Sequence, residues 1–295
     1  LENPDEEPGS KGVKVSILCI NNRKELDEHP IIADMMSAYS FIVRIMGSPY
    51  VEHLDGDRIE FDRHRSEELV VWLALHPDRR RRAAARADIW NAPVKDSTFS
   101  NITSDVRRSL TARELPPVGQ QWLGITLTED LPLHERIVTD SFLLERCFDH
   151  ARRHPDDGAR QVLAVGLGFV RGIPFEDCSY IWPDGIGLST NVAMLIVRAA
   201  TLFAESAVDD GDSDAAYWGT AKGLSAVPGH EGLVAIRMRL HAANGDRAAL
   251  VAEWESYCRA LNSDDWGDME PSPKMVDLWF ELSGRRGMGR RSSVV

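Results

Sequence analysis

Apolar residues in the first part of the chain fall in short runs bounded by polar residues, a pattern typical of β-strands. Val13–Ile20 and Phe41–Gly47 are such runs, and both are predicted strands. Residues 1–12 are polar with Pro and Gly and predict a disordered lead-in, and Asn21–Pro30 predicts a loop. Residues 1–40 are therefore expected to be a lead-in with an extra strand and loop, ahead of a small sheet.

A hairpin is predicted after the run at Phe41–Gly47. Tyr50–Leu54 and Arg58–Phe61 flank the dipeptide Asp55-Gly56. Asp-Gly favours a tight type I′ turn, because both central positions of that turn need a positive φ angle. The two flanking runs are therefore predicted as paired strands.

Between Arg65 and Leu110 the apolar residues recur with helical periodicity, in three short segments. Ser66–His76 has one broad apolar face, a capping serine at its start and Pro77 at its end. Ala83–Trp90 is the second helix. The third spans about Thr98–Ala112, with Asp96 or Ser97 as its cap, and its buried stripe is Phe99, Ile102, Val106 and Leu110.

Three helices in this order predict a helix-turn-helix unit, whose last helix can lie in the major groove of DNA. Trp122–Leu127 is then a predicted strand, the start of a wing hairpin. From Thr139 onward the pattern is that of helices alone, with early helices at 139–153, 158–171 and 189–208. Asp268–Gly284 is the predicted closing helix, and 285–295 a basic tail.

A repeat of 34 residues relates two segments of this helical part. Gly211-Asp212 opens the first copy and Gly245-Asp246 opens the second. Ala216, Leu224 and Pro228 fall at the small and apolar positions of a tetratricopeptide pattern, and the second copy matches it more loosely. In the first copy, Gly211 is predicted to lie at a helix end, with Asp212 or Ser213 as the cap of the next helix.

Charge is distributed unevenly along the chain. The net charge is −12, which disfavours a simple nucleic-acid binder. Residues 79–113 nevertheless hold nine basic groups against Asp88, Asp96 and Asp105, a local charge of +6, whereas residues 139–284 carry −11. The basic region coincides with the second and third helices of the predicted helix-turn-helix.

These features together resemble the bacterial transcriptional activator domain family. The matching motifs are ALHP at 74–77, the helix end VRRSL at 106–110, GDxxAA at 211–216 and EPSP at 270–273, and the resemblance covers about Phe41 to Leu282. The family includes the Streptomyces antibiotic regulatory proteins and actinobacterial proteins that join this unit to a LysM domain. The resemblance implies an α+β winged helix of the OmpR/PhoB type at residues 41–138, followed by an all-α, tetratricopeptide-like domain at 139–284.

The resemblance also implies a function. Members bind promoter DNA through the winged helix, and the helical domain mediates dimer or partner contacts. Carried over by position, the outward residues of the third helix would read double-stranded DNA, and the arginine run before the second helix would neutralise phosphates. The residues so implied are Ser100, Asn101, Ser104, Arg107, Arg108, Thr111, Arg79, Arg80, Arg81 and Arg82.

The wing departs from this DNA-binding pattern. From Glu114 to Glu135 there is no Lys or Arg, although a wing that follows the DNA backbone should be basic. Asp105 also lies inside the third helix. An alternative is therefore a degenerate winged helix that serves, with the helical half, as a scaffold for protein–protein interaction.

Enzyme, metal and membrane functions have no support in the sequence. His150 and His154 have metal-ligand spacing but no apparent third ligand, and Asp209–Asp214 lacks the glycine and glutamate of a calcium loop. No nucleophile elbow or zinc-protease motif occurs. No cofactor, no membrane contact and a cytoplasmic location are expected, with four scattered cysteines as idle thiols. A chain that starts at Leu1 could be the cytoplasmic part of a longer, anchored protein.

Overall fold

A computed structural model describes residues 30–155, 157–262 and 270–284 of the chain. It is mostly helical, with one three-stranded sheet near its start. The predictions for residues 1–12, Val13–Ile20, the loop up to residue 29 and the tail 285–295 lie outside the described residues.

The chain enters the described part through helix α1 (Pro30–Ser37). The sequence predicted irregular structure up to residue 40, so this helix is a correction. Ile32 is fully buried, and Met35, Met36 and Tyr39 pack against the core. Contacts with distant residues stabilise this short helix, which has no strong pattern of its own.

The sheet consists of β1 (Phe41–Arg44), β2 (Tyr50–His53) and β3 (Ile137–Thr139), in the order β2-β1-β3. β1 pairs with β2 antiparallel and with β3 parallel. The strands predicted at Phe41–Gly47 and Tyr50–Leu54 are confirmed in shorter form.

The other half of the predicted hairpin, Arg58–Phe61, is wrong as a strand. Arg58 makes a single bridge to Glu52, and the Ile59 amide donates to the carbonyl of Val51 at 2.8 Å. Gly56 has a φ of +96°, but Asp55 does not have a positive φ, so the predicted type I′ turn, which needs both, is wrong. A tight turn is present, in which the Gly56 amide donates to the carbonyl of His53 at 2.9 Å, and the chain leaves the sheet after Ile59.

The three predicted helices are present as α2 (His64–Leu75), α3 (Arg82–Ile89) and α4 (Asp96–Arg113), with a short 3₁₀ turn at Pro77–Arg79. The predicted caps are wrong. Arg63 and Lys95 occupy the N-cap positions, without side-chain hydrogen bonds to the helices. Ser66 is instead buried inside the first turn of α2, where its hydroxyl donates to Asp105 at 2.6 Å.

The predicted wing strand at Trp122–Leu127 is also absent as a regular strand. Residues 122–134 form an irregular ribbon, held by a bridge between Leu123 and Leu133 and by bonds such as Gly124 N to Pro132 O at 2.9 Å. Pro132 donates no amide hydrogen, which interrupts a regular ladder. The ribbon also pairs with the segment before α3, since Arg81 bridges Asp130.

After β3 the described chain continues as helices. Their bounds are α5 (Asp140–Arg153), α6 (Asp157–Gly168), α7 (Trp182–Gly185), α8 (Leu188–Asp209), α9 (Ser213–Ala226), α10 (Glu231–Ala243), α11 (Arg247–Leu261) and α12 (Pro273–Ser283). Apart from α7, which was not predicted, they agree with the predicted segments to within a few residues, except that α6 ends earlier and α12 begins after Ser272.

Helix α8 lies at the centre of the helical half. Its 22 residues and mean hydropathy of 1.4 would suffice, by length and composition, to cross a membrane. In the structure it packs against α5, α6, α7, α9 and α10. This central position accounts for its apolar composition, because one stripe of α8 belongs to the core.

Two turns in the helical half have the same construction, 34 residues apart. Gly211 and Gly245 have φ angles of +73° and +71°. The side chains of Asp212 and Asp246 then cap α9 and α11, accepting hydrogen bonds from Ala215 N at 3.1 Å and from Ala249 N at 2.9 Å. The predicted helix end at Gly211 and the cap at Asp212 are confirmed, and the second copy has the same arrangement.

The sheet and the helical half pack into one another. The buried carboxyl of Asp140, at the start of α5, accepts hydrogen bonds from the amides of Ile45 and Met46. Trp182 donates to Glu68 of α2 at 3.2 Å. One continuous cluster of buried apolar residues runs through both halves, and a second covers α10, α11 and α12. The predicted boundary at 138/139 stays a prediction.

Candidate nucleic-acid interface

Helix α4 presents a polar, neutral face to solvent. Phe99, Ile102, Val106 and Leu110 turn the other face into the core, as predicted. Ser100, Asn101, Ser104 and Thr111 are exposed. They lie at helical spacings of three, four and seven residues, so they form one stripe along the outer side of the helix.

Arg108, an exposed charged side chain beside this stripe, is paired within the molecule. It forms ion pairs with Asp62 and Asp105. Asp105 itself is buried, and it also accepts hydrogen bonds from Ser66 Oγ and from Arg63 N, at 2.6 and 3.2 Å. Asp105 therefore joins α4 to the start of α2, which explains an acidic residue inside the predicted reading helix.

Arg107 lies on the flank of α4 and holds the wing. Its Nε donates to the carbonyl of Leu123 at 2.8 Å, and its Nη2 donates to that of Gly124 at 2.9 Å. Burial, and then the neighbouring charge of Arg82, lowers the pKa of Arg107 from its ordinary value. Nε and Nη2 of Arg107 are therefore both occupied by hydrogen bonds within the molecule.

The four arginines of the predicted phosphate-binding run, Arg79–Arg82, have different surroundings. Arg80 is half-buried and donates to the carbonyls of Leu73 at 2.8 Å and Leu133 at 3.2 Å, and burial lowers its pKa. Arg82 donates to the carbonyl of Thr128 at 3.3 Å. Arg79 pairs with Asp88 at 3.3 Å. Arg81 is exposed, and its side chain has no partner among the described residues.

Acidic residues, most of which lie before the basic region in sequence, pair with its remaining arginines other than Arg81. Arg113 pairs with Asp55 and Asp57, and Arg86 pairs with Asp96 at 2.7 Å. Asp62 pairs with Arg108. Sequence reasoning missed these roles because Asp55, Asp57 and Asp62 belong to the hairpin and its exit, far from α4 along the chain. Lys95 and Arg81 are the exposed cations of residues 79–113 whose side chains have no partner in the described part of the molecule.

The surface of the wing is apolar and acidic. Leu127 and Val118 are fully exposed, Leu115 and Ile125 are largely exposed, and Glu129 and Asp130 are exposed beside them. The sequence had already shown that this wing has no basic residues. It had not predicted the exposed apolar residues, although four of them in one acidic loop are unusual for a contact with phosphates.

A second concave surface, which we call the junction groove, lies where the winged helix meets the helical half. Its volume is about 750 Å³. Its lining includes β3, the end of α2 and residues of α5 and α8. Phe142 and Met194 are its most exposed apolar side chains, at 43% and 42%. No sequence motif marks this groove, because its lining comes from four separate segments.

No metal centre is found among the described residues, where no group of three or more His, Cys, Asp or Glu side chains comes together. His150 and His154 lie with their rings 4.8 Å apart at the end of α5. Cys147 is buried, and burial raises the pKa of its thiol to about 12.

Comparison with known proteins gives a likeness of fold. Neither a family model nor a curated protein sequence matches the chain. Among solved structures, Mycobacterium tuberculosis EmbR in complex with a low affinity phosphopeptide matches with a TM-score of 0.58 and 14% sequence identity, over 85% of this chain. The chain spans 66% of the length of that protein. At this identity the likeness concerns the fold alone, and it fits a winged helix followed by a helical domain.

Proposed function

We propose that this chain is a transcription regulator of the bacterial transcriptional activator domain type that acts through a protein partner rather than by reading DNA sequence alone. Its fold supports the regulator class. The match to a protein solved with a phosphopeptide is compatible with a protein partner in general. A regulator of this kind would act in the cytoplasm.

The observation that carries the proposal is the use of the basic residues inside the molecule. Arg80 and Arg107 hold backbone carbonyls of the wing, and Arg108 is paired with Asp62 and Asp105. Phosphate binding requires cations that can release counterions from DNA. Arg81, Lys95 and the weakly held Arg82 leave about three such groups, too few for tight binding at physiological salt.

Fluorescence anisotropy with duplex DNA at several salt concentrations tests this proposal. Each phosphate contact contributes about 0.9 to the slope of log K against log salt, so we expect a slope no steeper than about −3. We also expect no preference between the chain's own promoter region and a scrambled duplex. A slope of about −6 with clear preference for one sequence would overturn the proposal.

Direct promoter recognition is a second candidate, because the stripe of Ser100, Asn101, Ser104 and Thr111 is unobstructed. Asn can bind adenine through two hydrogen bonds. If this stripe reads bases, Asn101→Ala should weaken specific binding by about 1–3 kcal/mol. Arg81→Ala should weaken binding to all duplexes alike, and Lys274→Ala, which removes an exposed cation from α12, is the charge-matched control.

We also infer that residues 139–284 form a tetratricopeptide-like domain that contacts a second copy or another protein. The two matching turns at Gly211 and Gly245 support a repeated helical pair. Sedimentation velocity over a range of protein concentrations tests for self-association. A monomer throughout would leave another protein as the partner and exclude a second copy.

A further inference from the structure

The junction groove lies close to the end of α1, the first described helix. Tyr39, which follows α1, is part of its lining. The first described residue, Pro30, is one eight-residue helix away from Ser37, a length of about 12 Å. The segment at Val13–Ile20 is separated from Pro30 by nine residues, which can span up to about 30 Å. That segment can therefore reach the whole groove.

We propose that Val13–Ile20 of the same chain occupies the junction groove as an extended segment. The segment, VKVSILCI, has seven uncharged residues, most of them apolar, and Lys14 as its one charge. The groove offers apolar Phe142, Met194 and Leu195, with the carboxylates of Glu135 and Glu145 among its lining. Composition and charge of the segment and the groove thus complement one another.

The sheet provides a second reason for this occupant. β3 forms part of the groove, and it pairs with β1 on one side and with no strand among residues 30–155, 157–262 and 270–284 on the other. An edge strand presents unpaired amides and carbonyls that an extended segment can bind. A β-branched, apolar run such as Val13–Ile20 has a high tendency to add to such an edge.

Cys19, inside the segment, permits a direct test in the full chain. In a background with Cys178→Ser and Cys258→Ser, Met194→Cys places a thiol in the groove, and a short bismaleimide reports its proximity to Cys19. Val208→Cys is the matched control, because Val208 lies on the same helix, is equally exposed at 42%, and is about 21 Å away along the axis. A docked segment should give a cross-link within one chain at a yield about tenfold higher for Met194→Cys than for Val208→Cys.

Maleimide labelling gives a second readout that does not depend on the direction of the Cys19 side chain. For it, Cys19→Ser removes the segment's own thiol, so that the introduced thiol reports its own accessibility. Ile17→Asp together with Leu18→Asp should release the segment and speed labelling at Met194→Cys about tenfold, with no change at Val208→Cys. Equal cross-linking at both positions with no change in labelling would overturn the proposal. A cross-link found between chains only would also overturn it, by assigning the groove to the segment of a second copy.

Discussion

At the scale of single residues, the arginines of the winged helix act as hydrogen-bond donors to the backbone. Arg80 and Arg107 together bind carbonyls of the wing and of α2. Counting the charged residues in the sequence identified the basic region correctly. It could not distinguish Arg107 from Arg81, because the carbonyls that bind Arg107 come from a loop that no local pattern places beside α4.

Arg107→Ala should therefore loosen the wing before it affects anything else. The variant leaves the carbonyls of Leu123 and Gly124 without their donors, at a cost of about 1–3 kcal/mol. Hydrogen exchange measured by mass spectrometry should show faster exchange in residues 122–134 and unchanged exchange in α4. Ser104→Ala, an exposed change on the same helix, is the control. Unchanged wing exchange together with lost DNA affinity would assign Arg107 to base contact instead.

Asp140 makes the stability of the fold depend on pH. Burial raises the pKa of this carboxyl from 3.8 to about 6, against the opposing effect of Arg44 and two backbone amides. The folded state therefore keeps a proton that the unfolded chain has already lost. The corresponding stability is fully present below about pH 4 and disappears as the pH rises through about 6, a change of about 3 kcal/mol.

Urea denaturation from pH 4 to pH 7 measures this effect. Asp140→Asn cannot ionise, so the fall in the free energy of unfolding over this range should be smaller in the variant by about 2 kcal/mol. Glu145→Gln, an exposed carboxyl on the same helix, should keep the wild-type profile. Parallel profiles for wild type and Asp140→Asn would show that Asp140 is not the group responsible.

At the scale of elements, most helices were predictable, whereas the pairing of strands was predictable only in part. Apolar stripes such as that of Phe99, Ile102, Val106 and Leu110 define a helix locally, and α4 has those residues buried. Arg58–Phe61 and Trp122–Leu127 have the composition of strands. Whether they form strands depends on a partner elsewhere, and the chain gives each of them only isolated bridges. Ser66 was misjudged for the same reason, since its partner Asp105 is 39 residues away.

The close packing of α8 against α9 depends on a glycine. A Cβ atom at Gly223 would lie 2.8 Å from the Cβ of Ala200 and 2.3 Å from Leu233 Cδ1. Gly223→Ala should therefore destabilise the fold by about 1–3 kcal/mol, although alanine normally favours a helix over glycine. Thermal unfolding measures the change. Gly185→Ala, where nothing lies within 4 Å, should be neutral or stabilising, and equal effects of both changes would contradict this reasoning.

At the scale of the whole molecule, the winged helix and the helical half are joined by buried contacts. Trp182 of α7 packs against Phe175 and His76, and its indole nitrogen donates to Glu68, whose pKa is raised by burial. No sequence pattern indicated this contact, because Trp182 belongs to a four-residue helix that has no periodicity of its own. The resemblance predicted two successive units, but the contacts between them had to come from the structure.

Wild-type protein should therefore unfold in one transition, seen alike by far-ultraviolet circular dichroism and by tryptophan fluorescence. Trp182→Ala should cost about 3–5 kcal/mol and separate the two signals into distinct transitions. Trp254→Ala, in the second core cluster of α10–α12, should destabilise that end while the winged helix and α5–α9 keep a common transition. Two separate transitions in the wild type would show that the halves are independent.

The two matching turns have a consequence for how this protein could change in length. Residues 212–245 begin with an aspartate cap and end with a left-handed glycine, and the same cap follows at Asp246. An in-frame duplication of these 34 residues would again place a capping aspartate directly after a left-handed glycine at each junction. The helical array can thus grow by whole units, with the winged helix and its contacts to α5–α8 left untouched.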